Sequence, residues 1–226
     1  MAKKRKKKKK IKVGRVFLAL LFFACVLSSL YFLSLVPVRG FYITGNNYYT
    51  DQEVLEKTSL IKYPSYLLTT SFSINKKISN DPLINNIKIK RKLNGMFEIL
   101  VNENRILFYD NIKKKSITDT EKEVDYYYNN SPVLINQVED KKIYSNFISK
   151  MKNLNNNIIF NISEIKYEPN DIDKERFLFS MNDGNYVYVT LSKLSKINNY
   201  FEIVSTLGSK NGILYLDYGN YFVPKE

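Results

Sequence analysis

A run of 21 residues without a charged side chain, rich in Leu, Phe and Val, extends from Val16 to Val36. Because a helix rises about 1.5 Å per residue, a helical run of this length spans about 30 Å, the thickness of a bilayer's hydrocarbon core. A cleaved signal peptide has a shorter apolar core, about 7–15 residues, and a small-residue cleavage site, which this run lacks. A lipid-modified Cys25 is a second alternative, but Phe22 and Phe23 are unsuitable before such a site. We therefore predict an uncleaved transmembrane helix at 16–36.

The pattern after this run changes period more than once. Apolar and polar positions alternate at 38–44, which predicts a strand, and Gly45-Asn46 is a turn signal. Thr50-Asp51-Gln52-Glu53 is a capping box, which predicts the start of a short helix. A second helix is predicted at 73–79, ending before Asp81-Pro82.

A hairpin follows at 87–101, where Ile87 and Ile89 alternate with lysines and the second strand alternates again. Asn94-Gly95 predicts a tight turn with positive φ angles at its centre. The order is therefore β-α-α-β-β, which places two helices on one face of a three-stranded sheet.

The pattern beyond residue 105 is less regular at first. A strand is predicted at 106–109, followed by a polar hairpin and loop at 111–130. Within that stretch we interpret Tyr126-Tyr127-Tyr128 as one face of a strand, with an exposed aromatic contact as the alternative. A helix comes next, and its apolar face is formed by Tyr144, Phe147, Ile148, Met151 and Leu154.

Clearer signals return near the C-terminus. A strand is predicted at 158–165, and a hairpin at 176–191 turns at Asp183-Gly184. Ser192 is predicted to cap a longer helix that ends at Gly208. The inward face of that helix is predicted to consist of Leu194, Ile197, Phe201, Val204 and Leu207. A final strand is predicted from Ile213 to about Val223, with Leu214, Leu216 and Tyr218 on one side.

These elements predict an α+β protein with a single N-terminal transmembrane helix, a β-α-α-β-β domain and a mixed β-sheet domain with helices. The predicted divisions are a basic tail at 1–15, the membrane helix at 16–36, a first outer domain at 37–105 and a second at 106–226.

Charge gives the predicted orientation. Residues 1–15 contain ten Lys or Arg and no acid, and since the whole chain has a net charge of +13, only +3 belongs to residues 16–226. By the positive-inside rule the N-terminus stays in the cytoplasm and the large C-terminal part lies outside the cell membrane. We expect the tail to attract anionic lipid, and we expect no nucleic-acid partner.

Composition excludes several kinds of catalytic site. The chain has no His and one Cys, Cys25, so it cannot form a Ser-His-Asp triad, a Cys-His pair, a His-ligated zinc site or a disulfide framework. Ser-x-x-Lys occurs at Ser59–Lys62 and Ser73–Lys76, but the companion motifs of Ser/Lys acyl-transferases are absent. We predict no enzyme, no catalytic residue, no cofactor or metal site and no small-molecule substrate.

Five short segments of the chain resemble those of a known protein family. They are Phe41-Tyr42-Ile43-Thr44-Gly45-Asn46, Thr50-Asp51-Gln52-Glu53, Asp81-Pro82-Leu83-Ile84, Ile87-Lys88-Ile89-Lys90-Arg91 and Ile99-Leu100-Val101-Asn102-Glu103-Asn104-Arg105. With the basic tail and the membrane span, they resemble the POTRA domain of the FtsQ/DivIB cell-division proteins. That family usually has Pro near the hairpin turn, where this chain has Leu93-Asn94-Gly95. The later hairpin, helix and final strand, with the segments 131–135 and 162–165, resemble the family's β domain.

The resemblance implies a non-enzymatic scaffold of the divisome at the division septum. Its implied partners are FtsL-like and FtsB/DivIC-like bitopic membrane proteins, and its implied role is to help regulate septal peptidoglycan synthesis. A POTRA-type binding or chaperone module for exported polypeptides is one alternative. A membrane-anchored exported enzyme is the other.

The resemblance also implies a binding site, because in this family the FtsB/DivIC tail adds to the last strand of the β domain. An edge strand has unpaired N–H and C=O groups that a partner segment can pair with. The implied partner-binding residues are Tyr215, Leu216, Tyr218, Gly219, Tyr221 and Phe222. The alternative for Tyr218 and Phe222 is that they close the core.

Overall fold

The computed structural model describes residues 13–207 and 211–225. Contacts divide the chain into two compact units: residues up to 79 together with 86–101, and residues 80–85 together with those from 102 onward. The domain boundary expected after residue 105 stays a prediction.

Helix α1 (Val13–Ser34) has apolar residues on all sides and one charged residue, Arg15, and it is long and apolar enough to cross a membrane. It ends at Ser34 rather than at the predicted Val36, because the chain loosens into a turn before Pro37. Most of the predicted basic tail, and with it the charge asymmetry, lies outside the described residues. Arg15 belongs to α1 and not to a separate tail.

The predicted β-α-α-β-β order of the first unit is confirmed. The elements are β1 (Gly40–Thr44), α2 (Asp51–Lys57), a 3₁₀ helix (Leu60–Lys62), α3 (Ser71–Ile78), β2 (Ile84–Arg91) and β3 (Met96–Glu103). The sheet has the order β1-β3-β2, with β1 parallel to β3.

Side-chain caps determine where α2 and α3 begin. The predicted capping box of α2 is present: the Glu53 N–H donates to the Thr50 hydroxyl at 3.3 Å, and the Thr50 N–H donates to the Glu53 carboxylate at 2.7 Å. That backbone bond holds the pKa of Glu53 below its ordinary value. Helix α3 begins earlier than predicted because Thr70 and Ser73 form a second, similar box.

The hairpin between β2 and β3 differs from the predicted tight turn. Only Gly95 has a positive φ, +83°, and Asn94 does not. The Gly95 N–H donates to the Lys92 carbonyl at 3.0 Å, and the Lys92 N–H donates to the Met96 carbonyl at 2.9 Å. The connection is therefore a longer turn that closes through one left-handed residue, which requires a single glycine.

The second unit is built on a mixed β-sheet with helices, as predicted, and its described sheet has nine strands. The strands are β4 (Ile106–Asp110), β5 (Lys115–Thr118), β6 (Glu123–Val124), β7 (Val133–Leu134), β8 (Ile162–Tyr167), β9 (Arg176–Met181), β10 (Tyr186–Thr190), β11 (Gly212–Tyr215) and β12 (Tyr221–Pro224). They lie in the order β12-β11-β10-β9-β8-β7-β4-β5-β6. The helices are α4 (Lys141–Met151), α5 (Asn156–Ile159), a 3₁₀ helix (Leu191–Asn199) and α6 (Tyr200–Thr206).

The core of this unit lies between the sheet and its helices. Phe147 of α4 stacks on Phe177 of β9 with ring centroids 4.5 Å apart, and both side chains are fully buried. Phe179, Val187 and Val189 continue the same buried face. Each such side chain contributes about 1.5–3 kcal/mol through removal of apolar area from water. The alternation seen in the sequence therefore identifies the core face of the hairpin correctly.

Two predictions in the middle of this unit are wrong in their secondary structure. Ile158 and Ile159 belong to α5 and not to the predicted strand, because both of their N–H groups donate to the Asn155 carbonyl at 3.1 Å. Two consecutive buried side chains fit a helix that is covered on two sides. The tyrosines at 126–128 lie in a loop and form no strand face, and there the Ser116 hydroxyl donates to the Tyr126 carbonyl.

The predicted helix after Ser192 is instead a 3₁₀ helix followed by the short α6. Its buried side chains, Leu191, Leu194, Ile197 and Tyr200, recur every three residues. That interval is the 3₁₀ period, whereas the prediction assumed 3.6 residues per turn. As a result Phe201, predicted to face inward, is exposed. The predicted cap at Gly208 lies outside the described residues.

Candidate partner-binding surface

The C-terminal edge of the second sheet is a hairpin rather than the single predicted strand. Strand β11 ends at Tyr215, and the chain then turns and returns as β12. The alternation of Leu214, Leu216 and Tyr218 predicts one continuous strand. The chain turns because the Asp217 side chain is buried, and Gly219-Asn220 completes the change of direction.

Strand β12 pairs with β11 and forms the outer edge of the described sheet. The Lys225 N–H donates to the Asn211 carbonyl at 2.9 Å. Because bonding direction alternates along an antiparallel pair, Tyr221 and Val223 also bond to β11, and Phe222 and Pro224 direct their backbone groups outward. Proline has no N–H, so this edge offers one outward N–H and two outward C=O groups.

An aromatic ladder crosses the outer face of the sheet and ends on this edge. The guanidinium of Arg176 lies 3.6 Å from the centre of the Tyr188 ring. Tyr188 stacks on Tyr215 at 5.3 Å, and Tyr215 stacks on Tyr221 at 4.7 Å. Each tyrosine is directly opposite the next in the strand register. Tyr221 keeps half of its surface exposed, so the ladder is open at its last ring.

A buried ion pair holds the turn between β11 and β12. Arg176 Nε donates to Asp217 Oδ2 at 2.8 Å, and the side chains are 13% and 2% exposed. Lys193 donates to the Asp217 carbonyl from the 3₁₀ helix. Burial by itself lowers the pKa of Arg176, but the hydrogen bond and the charge of Asp217 outweigh that effect and raise it. Arg176 therefore anchors both the ladder and the turn.

The inner face of the edge closes one side of an apolar groove of about 460 Å³. Phe222 lies half-buried in this groove beside Leu214 and Leu216, and Ile203 and Leu207 form the opposite wall. The edge strand thus presents a different chemistry on each face: apolar toward the groove, and aromatic with a polar hydroxyl on the ladder side.

Gly212 allows β12 to lie this close to β11. A Cβ at this position would lie 2.3 Å from the Val223 carbonyl oxygen and 2.5 Å from Phe222 Cζ. Real Cβ atoms do not approach other atoms so closely, so any larger residue would displace the edge strand. The Gly212 N–H donates to the Asn185 side chain at 2.8 Å, which fixes the start of β11.

The six residues expected at the partner site have different positions. Tyr221 and Phe222 lie on the edge strand, and Tyr218 and Gly219 lie in the turn beside it. Tyr215 lies inside the sheet as the middle ring of the ladder, and Leu216 is buried in the core and cannot offer its side chain to a partner. Of the two anchor positions, Val16 belongs to α1, and Val36 follows its end.

Sequence reasoning missed Arg176, Tyr188 and Val223 at this surface. The alternating tyrosines of the 176–191 hairpin were a visible signal, but their ring partner is on a strand more than twenty residues away. The described residues contain no group of three or more His, Cys, Asp or Glu side chains that could hold a metal ion.

Comparison with known proteins agrees with this architecture. The family model described as "POTRA domain, FtsQ-type" matches residues 36–104. The cell division protein DivIB of Oenococcus oeni is 29% identical over 228 residues, covering 93% of this chain and 81% of that protein. DivIB of Bacillus subtilis is 25% identical over 231 residues, covering 97% and 86%. The chain belongs to the DivIB/FtsQ family.

A solved structure of the major extracytoplasmic domain of DivIB from Geobacillus stearothermophilus also matches. It covers 46% of this chain and 93% of its own, with a TM-score of 0.38 and 18% sequence identity. DivIB/FtsQ proteins are non-enzymatic cell division proteins, so the prediction that the chain is not an enzyme is confirmed. The family resemblance found from short segments is confirmed as well.

Proposed function

We propose that this chain is a membrane-anchored scaffold of the divisome that binds FtsL-like and FtsB/DivIC-like bitopic proteins and helps regulate septal peptidoglycan synthesis. Membership of the DivIB/FtsQ family supports the general role in division. Helix α1 supports the membrane anchor. The charge asymmetry around 16–36 supports a cytoplasmic N-terminus and an extracytoplasmic C-terminal part, which would act at the division septum.

The single observation that carries the binding mechanism is the open edge of β12. A partner segment that pairs with it gains main-chain hydrogen bonds from Phe222 and the Pro224 carbonyl. Because Pro224 supplies no N–H, the added strand has few bonds to form, and side chains must supply much of the affinity and the selectivity. Tyr221, with its exposed ring at the end of the ladder, is the side chain best placed to do so.

Binding of the full-length chain in lipid nanodiscs to the outer segments of the FtsL-like and DivIC-like proteins tests this proposal. The decisive variant is Tyr221→Lys, and Tyr127→Lys is its matched control. The two tyrosines are 50% and 52% exposed, and each contacts one other tyrosine ring, at 4.7 and 4.8 Å. Circular dichroism checks the fold of both variants.

We expect Tyr221→Lys to weaken binding of the DivIC-like segment by about 30-fold, the loss of a contact of about 2 kcal/mol, and Tyr127→Lys to leave it within about twofold. Equal losses in both variants would argue against the edge strand. No binding by the unmodified chain would overturn the partner assignment and favour a general POTRA-type module for exported polypeptides. Tyr218→Lys, in the turn, separates a contact at the turn from one along the strand.

A further inference from the structure

The folded part of the first unit begins immediately after α1, with no linker. The Tyr66 N–H donates to the Val36 carbonyl at 2.8 Å, and the Val38 N–H donates to the Pro64 carbonyl at 3.0 Å. These contacts occur within four residues of Ser34, the last residue of α1. Since an extended chain advances about 3.3–3.6 Å per residue, the loop around Tyr66 lies close to the end of the helix.

A second segment is held at the same place. The Arg39 N–H donates to the Gly95 carbonyl at 3.0 Å, which brings the tip of the β2–β3 hairpin to the chain just after the helix. The Tyr66 hydroxyl donates to the Lys92 carbonyl at 2.8 Å, so loop and hairpin tip are joined. We call residues 62–72 and 91–95 together the exit rim.

The side chain of Arg91 holds the loop of the exit rim in place. The Arg91 guanidinium donates to the backbone carbonyls of Tyr66, Leu67 and Thr69 at 3.0, 3.1 and 2.7 Å. Arg91 therefore holds this loop in a defined conformation. That conformation is what exposes the loop's side chains.

The exit rim exposes large apolar side chains that no described residue of the unit covers. Leu68 is 67% exposed, Phe72 is 81% exposed and Leu93, at the hairpin tip, is fully exposed. Leu67 is also exposed. Single exposed apolar residues are common, but a group gathered at one place on the surface marks an interaction site.

The charge of the exit rim has one sign. Residues 62–72 and 91–95 contain Lys62, Arg91 and Lys92 and no acidic residue, and Arg39 lies beside Gly95. Lys92 is paired with Glu98 of β3 at 2.5 Å, so the net positive charge comes from Lys62, Arg91 and Arg39. Apolar side chains combined with basic ones are typical of segments that lie in the interface of an anionic bilayer. Where α1 crosses a membrane, its end brings this surface to that interface.

We infer that the exit rim is embedded in the outer headgroup region of the bilayer, with Leu67, Leu68, Phe72 and Leu93 reaching toward the acyl chains. This inference requires that α1 spans the membrane. It does not require a partner protein. The first unit is then held at the membrane at several points rather than by the helix alone, which restricts its rotation about the chain.

The chain has no Trp, so a single introduced Trp is a clean probe of membrane depth. The full-length chain would be reconstituted into phosphatidylcholine–phosphatidylglycerol vesicles, with and without lipids brominated on their acyl chains. The test variants are Leu93→Trp and Phe72→Trp. Phe22→Trp in α1 is the positive control. Ile172→Trp in the second unit is the matched control, since Ile172 is 78% exposed and Phe72 is 81% exposed.

We expect brominated lipid to quench Leu93→Trp and Phe72→Trp several-fold more than Ile172→Trp, and to quench Phe22→Trp most strongly. Quenching of both rim probes at only the level of Ile172→Trp, with Phe22→Trp quenched, would overturn the inference and leave the membrane anchor intact. An unquenched Phe22→Trp would overturn the inference together with the anchor. The vesicles contain no other protein, so a partner cannot produce the signal.

Discussion

The two edges of the nine-stranded sheet are built in opposite ways. Strand β6 is two residues long, and Glu123 on it pairs with Lys113 at 2.8 Å. Asp125 follows immediately and lies 3.6 Å from Lys115. Strand β12 is twice as long and has exposed aromatic and aliphatic side chains, Tyr221 and Val223, and no acid.

This difference separates a protected edge from an available one. Short length and charge are common devices that prevent a sheet edge from pairing with another chain. The β6 edge uses both. The β12 edge uses only one restraint, the missing N–H of Pro224, which limits how far a partner strand can extend without preventing its addition.

The largest effect on this comparison should come from Asp217, which holds the turn into β12. Asp217→Ala leaves Arg176 buried without its partner, so we expect a loss of about 3–5 kcal/mol in the free energy of unfolding. The control is Asp125→Ala, beside the other edge, which breaks an exposed pair and should cost less than about 1 kcal/mol. Urea unfolding measures both. Similar losses would show that the Arg176–Asp217 pair does not anchor the edge.

A smaller loss is expected for Gly212→Ala. The added methyl group would meet the Val223 carbonyl and Phe222, and overpacking of this kind costs about 1–3 kcal/mol. Strand β12 should loosen first, so the amide hydrogens of Tyr221 and Val223 should exchange faster. Gly40→Ala is the control, because its nearest neighbour is the flexible end of Met96 at 3.4 Å. Unchanged exchange in Gly212→Ala would contradict the proposed close packing.

The ladder can be tested by a double-mutant cycle on Tyr215 and Tyr221. We expect the coupling energy between Tyr215→Leu and Tyr221→Leu to be about 0.5–1.5 kcal/mol, the usual value for an aromatic pair beyond its buried area. The free energies of unfolding of the four proteins provide it. A coupling energy of zero would mean that the two stacked rings do not stabilise each other beyond the area that they bury.

The smallest change in stability is expected for Glu123→Val at the protected edge. Lys113 and Glu123 are both partly exposed, so removal of their pair should cost less than about 1 kcal/mol. The variant should nevertheless associate with itself at high concentration, because a charge that blocks the edge has been removed. Sedimentation velocity measures this association. A variant that stays monomeric would show that the shortness of β6 is sufficient protection.

Much of the fold was predictable because its signals are local. The capping box at Thr50 and Glu53 and the glycines at 95 and 184 act within a few residues, and the structure contains each of them. The prediction failed where two periods compete. Leu191, Leu194, Ile197 and Tyr200 are spaced as in a 3₁₀ helix. The prediction assumed 3.6 residues per turn and therefore placed Phe201, which is exposed, in the core.

The candidate surface was predictable only in part. The aromatic residues at 215, 218, 221 and 222 are visible in the sequence, but their roles depend on a turn that an inward Asp217 creates. The pairing of Asp217 with Arg176 and of Tyr188 with Tyr215 depends on the register of β10 and β11, which are parallel and far apart in the chain. No local pattern specifies that register.

The strand order of the second sheet has a consequence for how the protein matures. After β7 joins β4, each later strand adds beside the one before it, from β8 through β12. The sheet can therefore grow in one direction as the chain emerges, with mainly near-neighbour contacts to form at each step. Because β12 is the last described strand to join, its outer edge forms only after the preceding described strands have paired. A partner strand that added to this edge would therefore bind only molecules in which the described sheet has already formed.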